Sequence, residues 1–256
     1  MKKHNSRIFA VVGISIALSI AAAQTAAQTF KIIGATFIEA PPGRDKNLVP
    51  FSAGQSQEKA EVHAILSVNN GLLIDIARFS RDQSVTATGM YANKSTFALG
   101  TVDISSFPRV SADGKSMLVS MSVSRLSDKP VVAINFAGTV KVRSARGTSD
   151  KSAKFIAKSG SLIELGLGDT KVAKIDGGTV TFEGSSALER VSAMKFVGAD
   201  GKMNAGENVG SGRTNDRYEV SYRFTTPLTD GRIEATLFEG METNDVPVRL
   251  TITRPY

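Results

Sequence analysis

Apolar and polar residues alternate along much of the chain beyond Phe30. Between Ser116 and Ser124, four of the five alternate positions are serine, and the apolar positions between them are Met117, Val119, Met121 and Val123. Successive side chains of a β-strand point to opposite faces of a sheet. This pattern therefore predicts strands with one face on a hydrophobic core and the other face in water.

Three stretches near the C-terminus alternate in the same way. Their apolar sets are Val220, Tyr222 and Phe224, then Ile233, Ala235 and Leu237, and last Val248, Leu250 and Ile252. Further strands are predicted near 30–38, 60–68, 71–79, 84–91, 96–102, 131–143, 152–157, 161–165, 172–182 and 191–197. Many short strands with turn residues between them are typical of sandwiches. We predict an all-β protein with two antiparallel immunoglobulin-like β-sandwich domains, or with one as the alternative.

Two nearly identical segments, VSADGK at 110–115 and VGADGK at 197–202, lie 87 residues apart. Each contains Asp-Gly, which favours a type I′ hairpin turn because both central residues take positive φ. A calcium loop is not expected, since lysine stands where a further oxygen ligand should be. The repeat leaves two interpretations open, a duplicated sandwich or the same turn used twice.

The N-terminus has the features of a signal peptide. Three cations precede an uncharged apolar stretch at 8–20, and small residues follow it. We expect cleavage before Gln24 or Gln28. An uncleaved membrane anchor is the alternative interpretation.

The predicted division of the chain is a signal peptide (1–27), a first sandwich (28–166) and a second sandwich (167–256). The boundary is placed where LGLGDT, at 165–170, interrupts the alternation. Two polar segments, 40–59 and 198–217, show little alternation. They are predicted to be long loops, either functional or mobile.

The residue types limit the chemistry that the chain can perform. There is no cysteine, which excludes disulfides, thiolate metal sites and thiol nucleophiles. Once the signal peptide is removed, His63 is the one imidazole left, on the polar face of its strand with Glu61. No G-x-S-x-G or nucleotide-binding motif accompanies it, and zinc sites usually need more than one His or Cys ligand. We predict no catalytic residue, no metal ion and no cofactor.

A hydrolase of envelope glycans or esters is the alternative function. It would use carboxylates, or a serine outside any known motif. Asp75 is the acid to inspect, because it lies in the aliphatic stretch LLIDI at 72–76. The simpler interpretation is a strand acid that faces water. An enzyme should have a deep pocket with converging polar groups, whereas a binding protein should have a flat apolar or basic surface.

Positive charge is concentrated between Lys141 and Lys174, where eight cations and three acids give +5. Removing the three signal-peptide cations leaves 28 cations and 24 acids in the mature chain, a modest balance that does not predict nucleic-acid binding. The candidate binding residues, which we call the basic band, are Lys141, Arg143, Arg146, Lys151, Lys154 and Lys158. The simpler interpretation is a solvated strand face, or lysines that protect a sheet edge from aggregation.

The predicted function is that of an exported, non-catalytic binding protein of the cell envelope, periplasmic or secreted. It would contact a protein partner or an anionic envelope polymer through the basic band, the long loops or an open strand edge. No stable membrane anchor is expected after signal cleavage.

Overall fold

The computed structural model describes residues 29–38, 59–77, 84–105, 108–124, 126, 131–214 and 217–254. The predicted signal peptide and nearly all of the predicted loop 40–59 lie outside these residues. The described chain is all-β, with antiparallel strand pairs and one short 3₁₀ helix at Ser186–Arg190. Its strands are β1 (Thr29–Ile38), β2 (Lys59–Ser67), β3 (Leu72–Ile76), β4 (Thr86–Tyr91), β5 (Thr96–Thr101), β6 (Asp103–Ile104), β7 (Arg109–Val110), β8 (Ser116–Ser124), β9 (Val131–Ala145), β10 (Gly147–Phe155), β11 (Lys171–Asp176), β12 (Thr179–Gly184), β13 (Val191–Gly198), β14 (Met203–Thr214), β15 (Arg217–Arg223), β16 (Gly231–Glu239) and β17 (Glu242–Thr253).

Two five-stranded sheets enclose a first hydrophobic core in a sandwich-like arrangement. Sheet I has the order β1-β2-β8-β6, with β7 also paired to β8. Sheet II has the order β17-β9-β4-β5, with β3 also paired to β9. In β2 and β8 every second side chain is buried, which confirms the alternation predicted for them. The largest buried side chains of this core are Leu66, Leu73, Ile76, Met117, Met121, Ile134 and Phe136.

A second core lies against one seven-stranded sheet, sheet III, with the order β10-β16-β13-β14-β15-β12-β11. Strand β14 joins the two halves of this sheet, because residues 203–206 pair with β13 and residues 207–214 pair with β15. Both halves contribute to the same core, and the apolar sets predicted for β15 and β16 are buried in it. The segment after β10 adds Ile163, Leu165 and Leu167.

The chain passes between the two cores twice. It leaves β9 at Ala145 and enters β10 at Gly147, and it returns from β16 to β17 across Gly240. Strand β17 then pairs with β9 along its whole length and contributes to the first core. The predicted boundary between residues 166 and 167 assigns β17 to the second unit, whereas the observed cores divide the chain at 145–147 and 240–242. Alternation identifies the buried face of a strand, but it does not identify the neighbouring strand.

The two DGK segments form the same turn. In each, the glycine N–H donates to the carbonyl oxygen three residues earlier at 2.9 Å. Only the glycines, Gly114 and Gly201, have positive φ, at 69° and 77°, so the type I′ prediction is wrong. Hydrogen bonds lower the pKa of Asp113, mainly from the Ser111 hydroxyl, and of Asp200, mainly from the backbone N–H of Lys202. These carboxylates hold their own turns, as Asp side chains commonly do.

Three local predictions are also wrong. The predicted loop 198–217 is largely strand β14. The predicted strand 172–182 is two strands, β11 and β12, separated by a turn that contains Gly177 with a φ of 57°. The segment 161–165 is not a regular strand, although it buries two aliphatic side chains.

Candidate functional site

The residues of the basic band lie in different places in the structure. Two lie on β9 (Lys141, Arg143), one at the passage between the cores (Arg146), two on β10 (Lys151, Lys154) and one in the segment after β10 (Lys158). Lys141 pairs with Asp245 across β9 and β17 at 3.4 Å. For Lys154 and Lys158, no carboxylate of the described residues lies within ion-pair distance.

Arg143 is an ionic link between the two cores. Its guanidinium donates Nε and Nη2 to the two carboxylate oxygens of Asp75 on β3, at 2.7 and 2.5 Å. Its Nη1 donates to Glu189 of the 3₁₀ helix in the second core, at 2.8 Å. The hydrogen bonds to Asp75 raise the pKa of Arg143 against the opposing effect of partial burial. Asp75, the acid of interest in the sequence, therefore forms a bidentate ion pair with Arg143.

Replacing Arg143 with alanine should destabilise the protein by about 2 kcal/mol, because the Asp75 carboxylate, only 16% exposed, would lose its partner. Urea unfolding of the variant measures this loss. The matched control is Lys141→Ala on the same strand, whose partner Asp245 is 65% exposed. That change should cost less than about 0.5 kcal/mol. Equal losses in the two variants would contradict the structural role of Arg143.

A second ionic cluster lies beside the passage between the cores. Arg190 pairs with Glu239 at 2.9 Å and donates Nε to the carbonyl oxygen of Phe238 at 3.1 Å. The Ser149 hydroxyl donates to the same Glu239 carboxylate at 2.5 Å. That hydrogen bond is the main cause of the lowered pKa of Glu239, and the charges of Arg190 and Lys151 add to it. Lys151 of the basic band therefore lies close to the carboxylate of Glu239.

The outer face of β10, β16 and β13 carries an open groove of about 360 Å³. Ser152, Glu234 and Lys195 lie side by side across it in register. Lys154 and Arg232 lie opposite each other in the next row. Because side chains alternate along the strands, the positions between these residues face the second core. We call this surface the lysine face.

The acids of the lysine face already have partners. Asp150 accepts a hydrogen bond from the Thr236 hydroxyl at 2.7 Å. Glu234 pairs with Arg232 at 2.7 Å. Among the described residues no carboxylate lies within ion-pair distance of Lys195, as is also true of Lys154. The hydrogen bond from Thr236 leaves the negative charge of Asp150 in place, and the two lysines are the cations of this face that have no acid partner among the described residues.

Sequence reasoning missed two residues that matter at these sites, Lys195 and Glu189. Alternation around Lys195 shows that it faces outward, but the sequence carries no signal that β13 lies two strands from β10. Glu189 follows a Ser at position 185 that caps the 3₁₀ helix, and its contact with Arg143 joins residues in different cores.

His63 lies on the outer face of sheet I, as the alternation predicts. Its Nδ1 is 2.8 Å from the Ser120 hydroxyl on β8. Nucleophilic catalysis needs a third group to orient the imidazole and donors for an oxyanion. The acid on the same face of β2, Glu61, is paired with Lys59 at 3.1 Å.

Comparisons with family models, curated proteins and solved structures find no match to this chain. Within the described ranges, no cluster of three or more His, Asp or Glu side chains is arranged to hold a metal ion. In the same part of the chain, no helix has the length and apolar character needed to cross a membrane.

Proposed function

We propose that this chain is an exported, non-catalytic binding protein of the cell envelope that holds an anionic polymer on the lysine face. The observation that carries the proposal is a pair of lysines with no acid partner among the described residues. Lys195 lines the open groove, and Lys154 lies in the row next to it. A polymer could lie across the three strands and meet both ammonium groups. The proposal includes removal of residues 1–27, an immunoglobulin-like sandwich and a periplasmic or secreted location.

Three exposed carboxyl groups, those of Asp113, Asp200 and Glu239, lack the pKa shift that a general acid requires. The pKa values of Asp113, Asp200 and Glu239 are all lowered, so these groups are anions at neutral pH. A general acid needs the opposite shift, towards the working pH. The groove on the lysine face is also open, whereas substrates of enzymes are usually enclosed.

Reversing both charges, in Lys154→Glu with Lys195→Glu, should weaken binding to polyphosphate or heparin resin at least tenfold. Each lysine near an anionic surface contributes about 1 kcal/mol, and reversal replaces attraction with repulsion. The measurement is the salt concentration at which the mature protein elutes, since screening by salt weakens such contacts.

The matched control carries the same change of charge away from the lysine face, in Lys94→Glu with Arg249→Glu. Lys94 lies in the turn between β4 and β5, and Arg249 is exposed on β17. Elution of the control should stay close to that of the unmodified protein. If both double variants elute equally early, net charge rather than the lysine face causes retention, and the proposal fails.

The alternative function, a hydrolase of glycans or esters, has one observation in its favour, the contact between His63 and Ser120. Sizing soluble heparin after incubation with the mature protein separates the two functions. A binding protein returns the polymer at its original length, whereas a hydrolase returns shorter chains.

A further inference from the structure

Strand β1 is an edge of sheet I, and within the described residues its one paired neighbour is β2. Its ten residues carry a single charge, that of Lys31. Phe30, Ile32 and Phe37 pack on the first core but are only partly buried, and Ile33 is 53% exposed. Exposed edge strands are usually protected by several charges or by proline. In the part of the chain that the structure describes, β1 is therefore an unusually apolar sheet edge.

A bulge in the middle of β1 restricts what can pair with this edge. Ile32 lies opposite Ala64 and Gly34 lies opposite His63, so Ile33 is the extra residue. Ile33 and Gly34 consequently both face outward, and the two halves of β1 are out of step with each other. A regular strand must leave one residue of β1 unpaired to stay in phase with both halves.

We propose that β1 pairs antiparallel with β1 of a second copy of this chain, about a two-fold axis between Ile33 and Gly34. In this register the residue numbers of each pair add up to 67, and the bulges of the two copies meet at the axis. Every pair then joins two inward or two outward positions, with no residue skipped. The pairs are Thr29 with Ile38, Phe30 with Phe37, Lys31 with Thr36, Ile32 with Ala35, and Ile33 with Gly34.

The chemistry of these pairs is compatible with the register. Phe30 and Phe37 would form two aromatic cross-strand pairs that cover the partly exposed side of the first core. Ile33 would lie over Gly34, which has no side chain to obstruct it. Lys31 would face Thr36, so the pairing brings no like charges opposite each other.

The size of the edge suits a reversible dimer. Ten paired residues extend about 34 Å, and stacked sheets lie about 10 Å apart. The strip therefore covers roughly 340 Å² per copy, below the roughly 800 Å² of a standard specific interface and in the range of weak, transient contacts. An apolar groove of about 280 Å³, lined by Ile33, Ile65, Val110 and Leu118, borders β1 on the outer face. Such a dimer would carry two lysine faces, but the inference does not rest on polymer binding.

The test changes the exposed residue Thr36. Its neighbour within the chain is an acid and its neighbour in the proposed dimer is a lysine, so one added charge has opposite effects on folding and on pairing. Within one chain Thr36 lies opposite Glu61 of β2, whereas in the dimer it faces Lys31 of the other copy. Thr36→Lys should stabilise the fold of the monomer, because the new lysine lies opposite Glu61. It should also raise the Kd of the dimer about tenfold, through two like-charge pairs with Lys31. Thr36→Glu should disfavour the monomer slightly and lower that Kd about tenfold. A general loss of folding cannot produce this pair of opposite shifts.

The matched control exchanges the two residues, in Lys31→Thr with Thr36→Lys, which keeps the composition and restores each lysine–threonine pair. Its Kd should return to that of the unmodified protein. The measurement is sedimentation velocity of the mature chain from about 1 µM to about 500 µM, with thermal unfolding in the dilute monomer. A chain that stays monomeric throughout would overturn the proposal. So would Kd values that shift in the same direction in both single variants, or an exchange variant that fails to restore the dimer.

Discussion

Ending the chain after Gly240 should unfold the first core and leave the second core folded. The deletion removes β17, whose Val246, Val248, Leu250 and Ile252 are at most 6% exposed. Burial of each such side chain contributes about 1.5–3 kcal/mol, so the loss is of the order of the whole stability of a typical domain. It also leaves β9 without its partner along twelve residues. No residue of β17 belongs to the second core.

Hydrogen exchange of the backbone amides measures this outcome segment by segment. Protection should disappear from β2, β8 and β9 and persist in β12, β15 and β16. The matched control keeps β17 and replaces two of its exposed residues, Arg249 and Thr251, with alanine, which should leave both cores protected. Protection retained in β2 and β8 of the shortened chain would contradict the division of the chain at residues 145–147 and 240–242.

Replacing Gly138 with alanine should destabilise the first core by about 3–5 kcal/mol, from backbone strain and overpacking together. Gly138 lies in β9 with a φ of 146°, a conformation that residues with a Cβ rarely adopt. A Cβ at this position would overlap the carbonyl oxygen of Ser84, which belongs to the backbone and cannot rotate away. Ser84 is also tied to this part of β9, since its N–H donates to the Thr139 carbonyl oxygen at 3.2 Å.

In differential scanning calorimetry, the first core of the Gly138 variant should unfold at a lower temperature than in the unmodified protein. The matched control is Gly147→Ala, where a Cβ would have no heavy atom within 4 Å and φ lies outside the positive range. That change should leave stability the same or raise it by up to about 1 kcal/mol, because alanine restricts the unfolded chain. Similar transition temperatures for the two variants would show that Gly138 has no special conformational role.

The candidate site was only partly accessible to sequence reasoning. The excess of charge between Lys141 and Lys174 is a property of composition, so it could be read directly. Whether each cation is free depends on its neighbours in space. Arg143 reaches acids at positions 75 and 189, whereas Lys154 reaches none among the described residues. Residues of one run of sequence can therefore have different roles.

The wrong strand predictions have a common physical cause. Strand β14 contains glycine, asparagine and serine, and its residues 207–214 are all exposed, so no apolar period marks it. Backbone hydrogen bonds to β13 and β15 make it a strand, and these bonds leave no trace in the side-chain pattern. The segment around Ile163 and Leu165 is the opposite case. It has an apolar period, but its β-pairing among the described residues is a single isolated bridge between Leu162 and Lys171.

The amino-acid pattern was sufficient to predict the all-β class and the buried face of strands such as β2, β8, β15 and β16. Side-chain alternation is a local property of an extended backbone, and burial of every second residue selects for it. The pairing of β17 with β9, the link from Arg143 to both cores and the proximity of Lys195 to β10 arise only in the folded chain. Each of these contacts joins residues far apart in sequence. The free energy of each contact depends on which strands are neighbours in the folded chain.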